Sequence, residues 1–197
     1  VVGYANATLQ VWNESTWRKR QNLLGHGTKV SAVIIVDGGS HIVSAGGDRC
    51  LKLWDMQKSI IRCSATIRCQ STATALCNPE EGVILSSHVD GRLRTHETRR
   101  SQGSQSEIVV RDGAPGMSVK SIALHPRNSN IAAALSSDGQ VDLVDLRVGR
   151  SVEVLAPHSQ RTGEGNVAWA PSGKYVAATA GSMVAIWDAA TGVVEKE

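Results

Sequence analysis

Leu51-Lys52-Leu53-Trp54-Asp55 sets two apolar side chains around a charged one and closes on a Trp-Asp pair. Such period-two alternation marks a strand with one buried face. The closing pair returns along the chain, intact or altered, as Trp12-Asn13, Trp54-Asp55, His96-Glu97, Val144-Asp145 and Trp187-Asp188. The gaps are 42, 42, 48 and 43 residues. Six residues before the first four marks stand Asn6, Asp48, Asp90 and Asp138, with Gly181 in that slot of the last. Fourteen residues before the complete marks stand turn residues, Ser40, Gly82, Asn130 and Gly173. Three landmarks in one frame argue against chance periodicity.

A repeat of roughly 40–45 residues with a Trp-Asp signature reads as a β-propeller of WD40 type, four short strands per blade. The expected fold is therefore all-β. The units fall at residues 1–20 (partial), 21–64, 65–110, 111–155 and 156–197, about four and a half blades. Propellers close with about four to eight blades, WD40 rings usually with seven, so a single incomplete propeller is expected. In the best-formed unit Val30 to Val36 suits an inner strand buried on both faces, His41 to Ala45 the second, Leu51 to Trp54 the third and Ile60 to Cys63 the outer. The longer third unit places its extra residues in a polar loop, residues 98–105.

Composition is that of a globular chain, 41% hydrophobic, 20% charged, with net charge +3 and no Phe. No apolar run approaches the roughly 20 residues of a membrane-spanning helix. The basic residues are spread out and only two Tyr accompany them, unlike a nucleic-acid groove with stacking aromatics. No nucleic-acid partner is expected. Cys50, Cys63, Cys69 and Cys77 show no CxxC spacing, and His41, His88, His96 and His125 no HxH or HxxxH spacing. No metal and no cofactor are expected, and the cysteines read as small buried thiols of a reducing, cytoplasmic compartment.

His26, Ser44, Asp48 and Trp54 occupy positions that resemble the structural tetrad of WD40 blades, in which Asp, His, Ser and the indole N–H bond in series. Ser, His and Asp also occur in hydrolase triads. No GxSxG elbow accompanies them and all keep the repeat phase, so the structural reading prevails and no catalytic residue is expected. Blades three and four, lacking the Trp, should be held mainly by packing. Gly25-x-Gly27 and Gly46-Gly47 lack the Lys-Ser/Thr and helix that follow a phosphate loop. Loops joining strands four to one and two to three gather at one end of a propeller. There the chain should carry Lys29, Arg49, Arg68, Arg92, Arg111 and Arg161, a basic rim for acidic peptides or anionic headgroups, with ordinary solvated charge as the competing reading.

Several stretches resemble the C-terminal propeller of the autophagy 16-like family. They are Leu24-Gly25-His26-Gly27-Thr28-Lys29-Val30, Ile42-Val43-Ser44 with Asp48 and Leu51 to Asp55, Val141-Asp142-Leu143-Val144-Asp145-Leu146-Arg147, and Asn166 to Ala178. His96-Glu97 departs from the expected Trp-Asp. The resemblance implies a non-catalytic scaffold that recruits protein partners. It would link lipid-conjugation machinery to membrane-associated proteins during autophagosome formation, in the cytoplasm and at autophagic membranes. A WD40 subunit of another assembly, such as a ubiquitin-ligase adaptor or trafficking complex, is the alternative.

Overall fold

The computed structural model describes residues 1–98, 105–110, 116–156 and 165–196. Among the described residues strands dominate, and the one helical turn is Asp37–Gly39. Blade one has three strands, β1 (Val2–Gly3), β2 (Thr8–Trp12) and β3 (Lys19–Leu24). Blade two has β4 (Val30–Val36), β5 (His41–Gly46), β6 (Cys50–Asp55) and β7 (Arg62–Arg68). Blade three has β8 (Ala73–Glu80), β9 (Val83–His88), β10 (Arg92–Glu97) and β11 (Gln105–Val109). Blade four has β12 (Val119–His125), β13 (Asn128–Ser136), β14 (Val141–Asp145) and β15 (Arg150–Leu155). Blade five has β16 (Val167–Trp169), β17 (Tyr175–Ala180), β18 (Met183–Asp188) and β19 (Val194–Lys196). Within each blade consecutive strands pair antiparallel. A parallel bridge, Val109 to Arg150, joins the outer strands of blades three and four into one eight-stranded sheet. This is the blade architecture of a WD40 β-propeller.

The core lies between blades. Leu9, Val11 and Leu23 of blade one meet Ile42 and Trp54 of blade two. Val43 and Leu51 meet Ala73 and Ile84 of blade three. Leu85, Leu93 and Ile108 meet Ile122, Ala132 and Val144 of blade four. Leu135, Leu143 and Leu155 meet Val176, Ala185 and Trp187 of blade five. Polar stitches along the inner strands span one repeat. Ser31 Oγ donates to the Ala73 carbonyl at 2.7 Å, and Thr74 Oγ1 to that of Val119 at 2.7 Å.

Two strand readings change. The sequence boundaries at residues 20 and 64 fall inside β3 and β7, and Ile60 is an exposed loop residue before β7. Almost all of β7 is exposed, so no apolar alternation advertises it. The inner strand β4 is only partly buried, with Ile35 53% exposed. It is an edge strand, bonded on one side to β5 alone.

Inter-blade burial has a measurable signature. Leu135→Ala should lower unfolding free energy by about 2–5 kcal/mol, the cost of a buried leucine and its cavity. Val184→Ala, at a half-exposed position, should change it by less than about 0.5 kcal/mol. Denaturant titration of both variants checks the contrast.

Candidate functional site

The turn between β5 and β6 builds the first polar centre. Asp48 opens it and Arg49 holds a left-handed φ of 59°. This conformation turns Asp48 back, where its carboxylate accepts from Gly27 N–H at 2.8 Å and Cys50 N–H at 3.1 Å. His26 Nδ1 lies 3.0 Å from Asp48 Oδ2, and Nε2 lies 2.7 Å from Ser44 Oγ. Trp54 Nε1–H donates to the same hydroxyl oxygen at 2.9 Å. A carboxylate only accepts, so His26 Nδ1 donates. Gly46 lines this centre because a β-carbon there would lie 2.5 Å from His26 Nδ1. Burial pushes the Asp48 carboxyl up, but the Gly27 amide and the His26 ring outweigh it and hold the pKa below the ordinary carboxylate value. Ser44 is fully buried and engaged by two partners, so the Ser-His-Asp set has no open face for a substrate.

Blade three carries a second polar centre, not the packing alone expected for it. The Trp slot holds His96, whose Nε2 lies 2.8 Å from Ser86 Oγ. His88 approaches the same hydroxyl at 2.8 Å, and its Nδ1 lies 3.0 Å from the Ser71 carbonyl. Beside them Arg94 is fully buried. It forks onto Asp90 at 2.8 and 3.1 Å and reaches Glu107 at 2.8 Å. Burial pushes the Asp90 and Glu107 carboxyls up, yet the Arg94 guanidinium holds both below their usual values. Sequence reading missed His88, Arg94 and Glu107. Arg94 stands in the slot that Lys52 holds in blade two, where a charged residue is ordinary, so no local signal marked it. Cys69 joins His88 and His96 in a buried group with metal-ligand side chains.

The remaining blades dispense with the serine. In blade four Ala134 and Val144, both buried, stand where blade two has Ser44 and Trp54. In blade five Ala177 stands in the serine slot and Trp187 Nε1–H donates to the Ala156 carbonyl at 3.4 Å.

At the rim, Lys29, Arg49 and Arg68 are exposed. Backbone pairing gathers them at one end of blade two. Gly47 N–H donates to the Lys29 carbonyl, Cys69 N–H to that of Arg49, and Arg68 faces Cys50 in register. Arg92 is half-buried and ion-paired with Glu107. Arg111 and Arg161 lie outside the described residues, as does most of the 98–105 loop.

A profile of the WD domain, G-beta repeat family matches residues 17–55, from the end of blade one through β6. The chain carries a WD40 repeat domain. This WD40 chain is 27% identical to Protein tipD of Dictyostelium discoideum, over 100% of the chain and 32% of that protein. It is 30% identical to Autophagy-related protein 16 of Arabidopsis thaliana, over 98% of the chain and 37% of that protein. Methylosome protein WDR77 of Xenopus laevis is 26% identical over 68% of the chain and 40% of that protein. The chain spans about a third of the length of the first two relatives, 32% and 37%. WD40 domains are in general protein-interaction scaffolds rather than catalysts. Among the described residues no helix is long and apolar enough to cross a membrane.

Both polar centres give testable effects. Asp48→Ala strips His26, Gly27 and Cys50 of their acceptor and should lower stability by about 1–3 kcal/mol, read as a shifted urea midpoint. In blade three, burial first, then the charges of His88 and Arg94, lowers the His96 pKa from 6.5 to about 4. Below pH 6.5 the unfolded chain takes a proton that folded His96 refuses until about pH 4. Stability is therefore lost as pH falls through that window. His88 is depressed in the same direction, again chiefly by burial. His96→Trp should flatten, though not abolish, the acid-side slope of the urea midpoint; an unchanged slope would show that His96 does not titrate this way.

Proposed function

We propose that the chain is the partner-recruiting propeller of an autophagy 16-like protein, a non-catalytic scaffold linking lipid-conjugation machinery to membrane-associated partners. The observation that carries this reading is coverage. The similarities to Protein tipD and Autophagy-related protein 16 run through 100% and 98% of the chain, so they extend across all five blades and their altered marks. Its setting is the cytoplasm, with recruitment to autophagic membranes through bound proteins. A WD40 subunit of another assembly is the second reading. It draws on the likeness to WDR77 and to Ribosome biogenesis protein YTM1 of Lodderomyces elongisporus, 28% identical over 72% of the chain.

The face proposed for binding is the basic rim, centred on Lys29, Arg49 and Arg68 of blade two; Arg111 and Arg161, expected there from the repeat phase, lie outside the described residues. Arg92 contributes less, because Glu107 answers its charge. The ligands that fit are acidic peptide motifs on partner proteins. The rim needs no enclosed pocket, since a peptide can lie across loop ends.

The test is charge reversal in the complete protein. Lys29→Glu, Arg49→Asp and Arg68→Glu together should abolish recruitment to autophagic membranes in cells. Aspartate is chosen at 49 because it tolerates left-handed backbone better than most residues. Each exposed change should alter stability by less than about 0.5 kcal/mol, so the melting curve should hold. Recruitment that survives the triple change and disappears on deleting residues 98–105 would move the functional face to the opposite end.

A further inference from the structure

Blade three places three metal-ligating side chains in its interior. Cys69, His88 and His96 each offer one donor atom, and these atoms lie within 4.8 Å of one another. All three residues are buried. They come from separate pieces of chain, the residue after β7, the last residue of β9 and the last but one of β10. Their spacing in sequence fits no linear metal motif, and so the sequence excluded a metal on grounds that the fold removes.

Two observations go beyond proximity. The first is the His88 tautomer. Its Nδ1 faces the Ser71 carbonyl at 3.0 Å, and a carbonyl only accepts, so Nδ1 carries the proton and Nε2 keeps its lone pair. Metal-ligating imidazoles are held in this way through their other nitrogen. The second is His96 Nδ1, which is buried without a hydrogen-bond partner. Buried polar atoms are nearly always satisfied, and an exception calls for an explanation such as an ion.

We propose that Cys69, His88 and His96 bind one copper(I) ion. A thiolate with two imidazoles and no carboxylate is a soft-to-borderline donor set, and a trigonal Cys-His-His arrangement is characteristic of copper. Structural zinc is almost always four-coordinate, and the group holds three ligands among the described residues. The neighbouring charges permit the ion. Arg94 sits close by but is answered by Asp90 and Glu107. Binding exchanges one cation for another: Cu⁺ forms a bond to Cys69 sulfur, the thiol proton leaves to solvent, and the local charge is unchanged. Ser86 accommodates the change as well. Its hydroxyl bridges both rings, and the Arg94 carbonyl stands 3.2 Å away as another acceptor. When copper takes His88 Nε2, the hydroxyl turns to that carbonyl. Cys69 is the most exposed of the three and adjoins exposed Gln70, so entry is from that side.

Burial also keeps the site in the state copper needs on nitrogen and away from it on sulfur. His96 is held neutral down to about pH 4, and burial pushes the Cys69 thiol up to about 11.

The experiment titrates the reduced full chain with Cu⁺ against a colorimetric copper(I) chelator. The expected result is one ion per chain and X-ray absorption showing one sulfur and two nitrogens. Cys69→Ser and His96→Trp should each weaken binding at least 100-fold. Trp at 96 can meet Ser86 as Trp54 meets Ser44, so this variant keeps the blade folded, which circular dichroism and thermal melting verify. Cys63→Ser, which removes an exposed thiol, should leave affinity unchanged. Binding that is indifferent to Cys69→Ser and His96→Trp, or that falls with Cys63→Ser, overturns the site. A parallel titration with Zn²⁺ that shows zinc bound and copper refused overturns the choice of ion.

Discussion

A four-stranded blade has two faces and no interior of its own, and each face must be covered by the neighbour. The third strand of blade two shows how one sequence serves both sides. Trp54 packs toward blade one, and Leu51, three residues earlier and on the other face, packs toward blade three. Ala133 and Ala134 divide in the same way, the first toward blade five and the second toward blade three. Adjacent residues on a strand point to opposite faces, so every substitution in these strands acts on one specific interface. Small side chains in blade four let the sheets approach closely, and dense packing leaves no slack on either side.

Within that constraint the slot named by tryptophan is a problem in polar accounting. A large indole covers the neighbour well but brings an N–H into the interior, where an unmade hydrogen bond is costly. Blade two answers with Ser44, and His26 and Asp48 behind it. Blade five drops the serine and uses the Ala156 carbonyl. Blade four removes donor and acceptor together, with Val144 and Ala134, which physical reasoning allows at little cost because nothing is left unpaired. Blade three keeps Ser86 and changes everything around it. A histidine is shorter than a tryptophan and carries two ring nitrogens where the indole has one, so it brings in a second polar atom. That atom, Nδ1, is the one left without a partner.

These four solutions decide what was legible. The fold was readable because Trp54, Asp48 and Ser40 recur in one phase, and such phase is imposed by backbone geometry that every blade shares. The tetrad members were readable for the same reason. The outer strand β7 was not, since a strand covered on neither face needs no alternation. The cluster of Arg94, His88, Glu107 and Cys69 was not, since it is specific to one blade and its members meet only through pairing between strands. Arg94 aligns with Glu107 across β10 and β11, and Leu93 with Ser87 across β10 and β9. Register of this kind is invisible in a one-dimensional pattern.

The same accounting bears on the basic rim proposed for recognition. The carboxylates at Asp48, Asp90 and Glu107 are held ionised by donors inside the blades. They have little left to offer a partner. Exposed basic groups are different, because each attracts anionic surface by about 1 kcal/mol and acts jointly with others only within a Debye length, about 8 Å at physiological salt. Arg68 faces Cys50 across an antiparallel pair, one residue from Arg49, and antiparallel partners stand about 5 Å apart. Their charges therefore act on a ligand together. Arg92, which in blade three stands at the place of Cys50, is ion-paired with Glu107. The charged residue that stabilises blade three is thus taken from the surface that blade two leaves exposed, and the rim is strongest where the tetrad is complete.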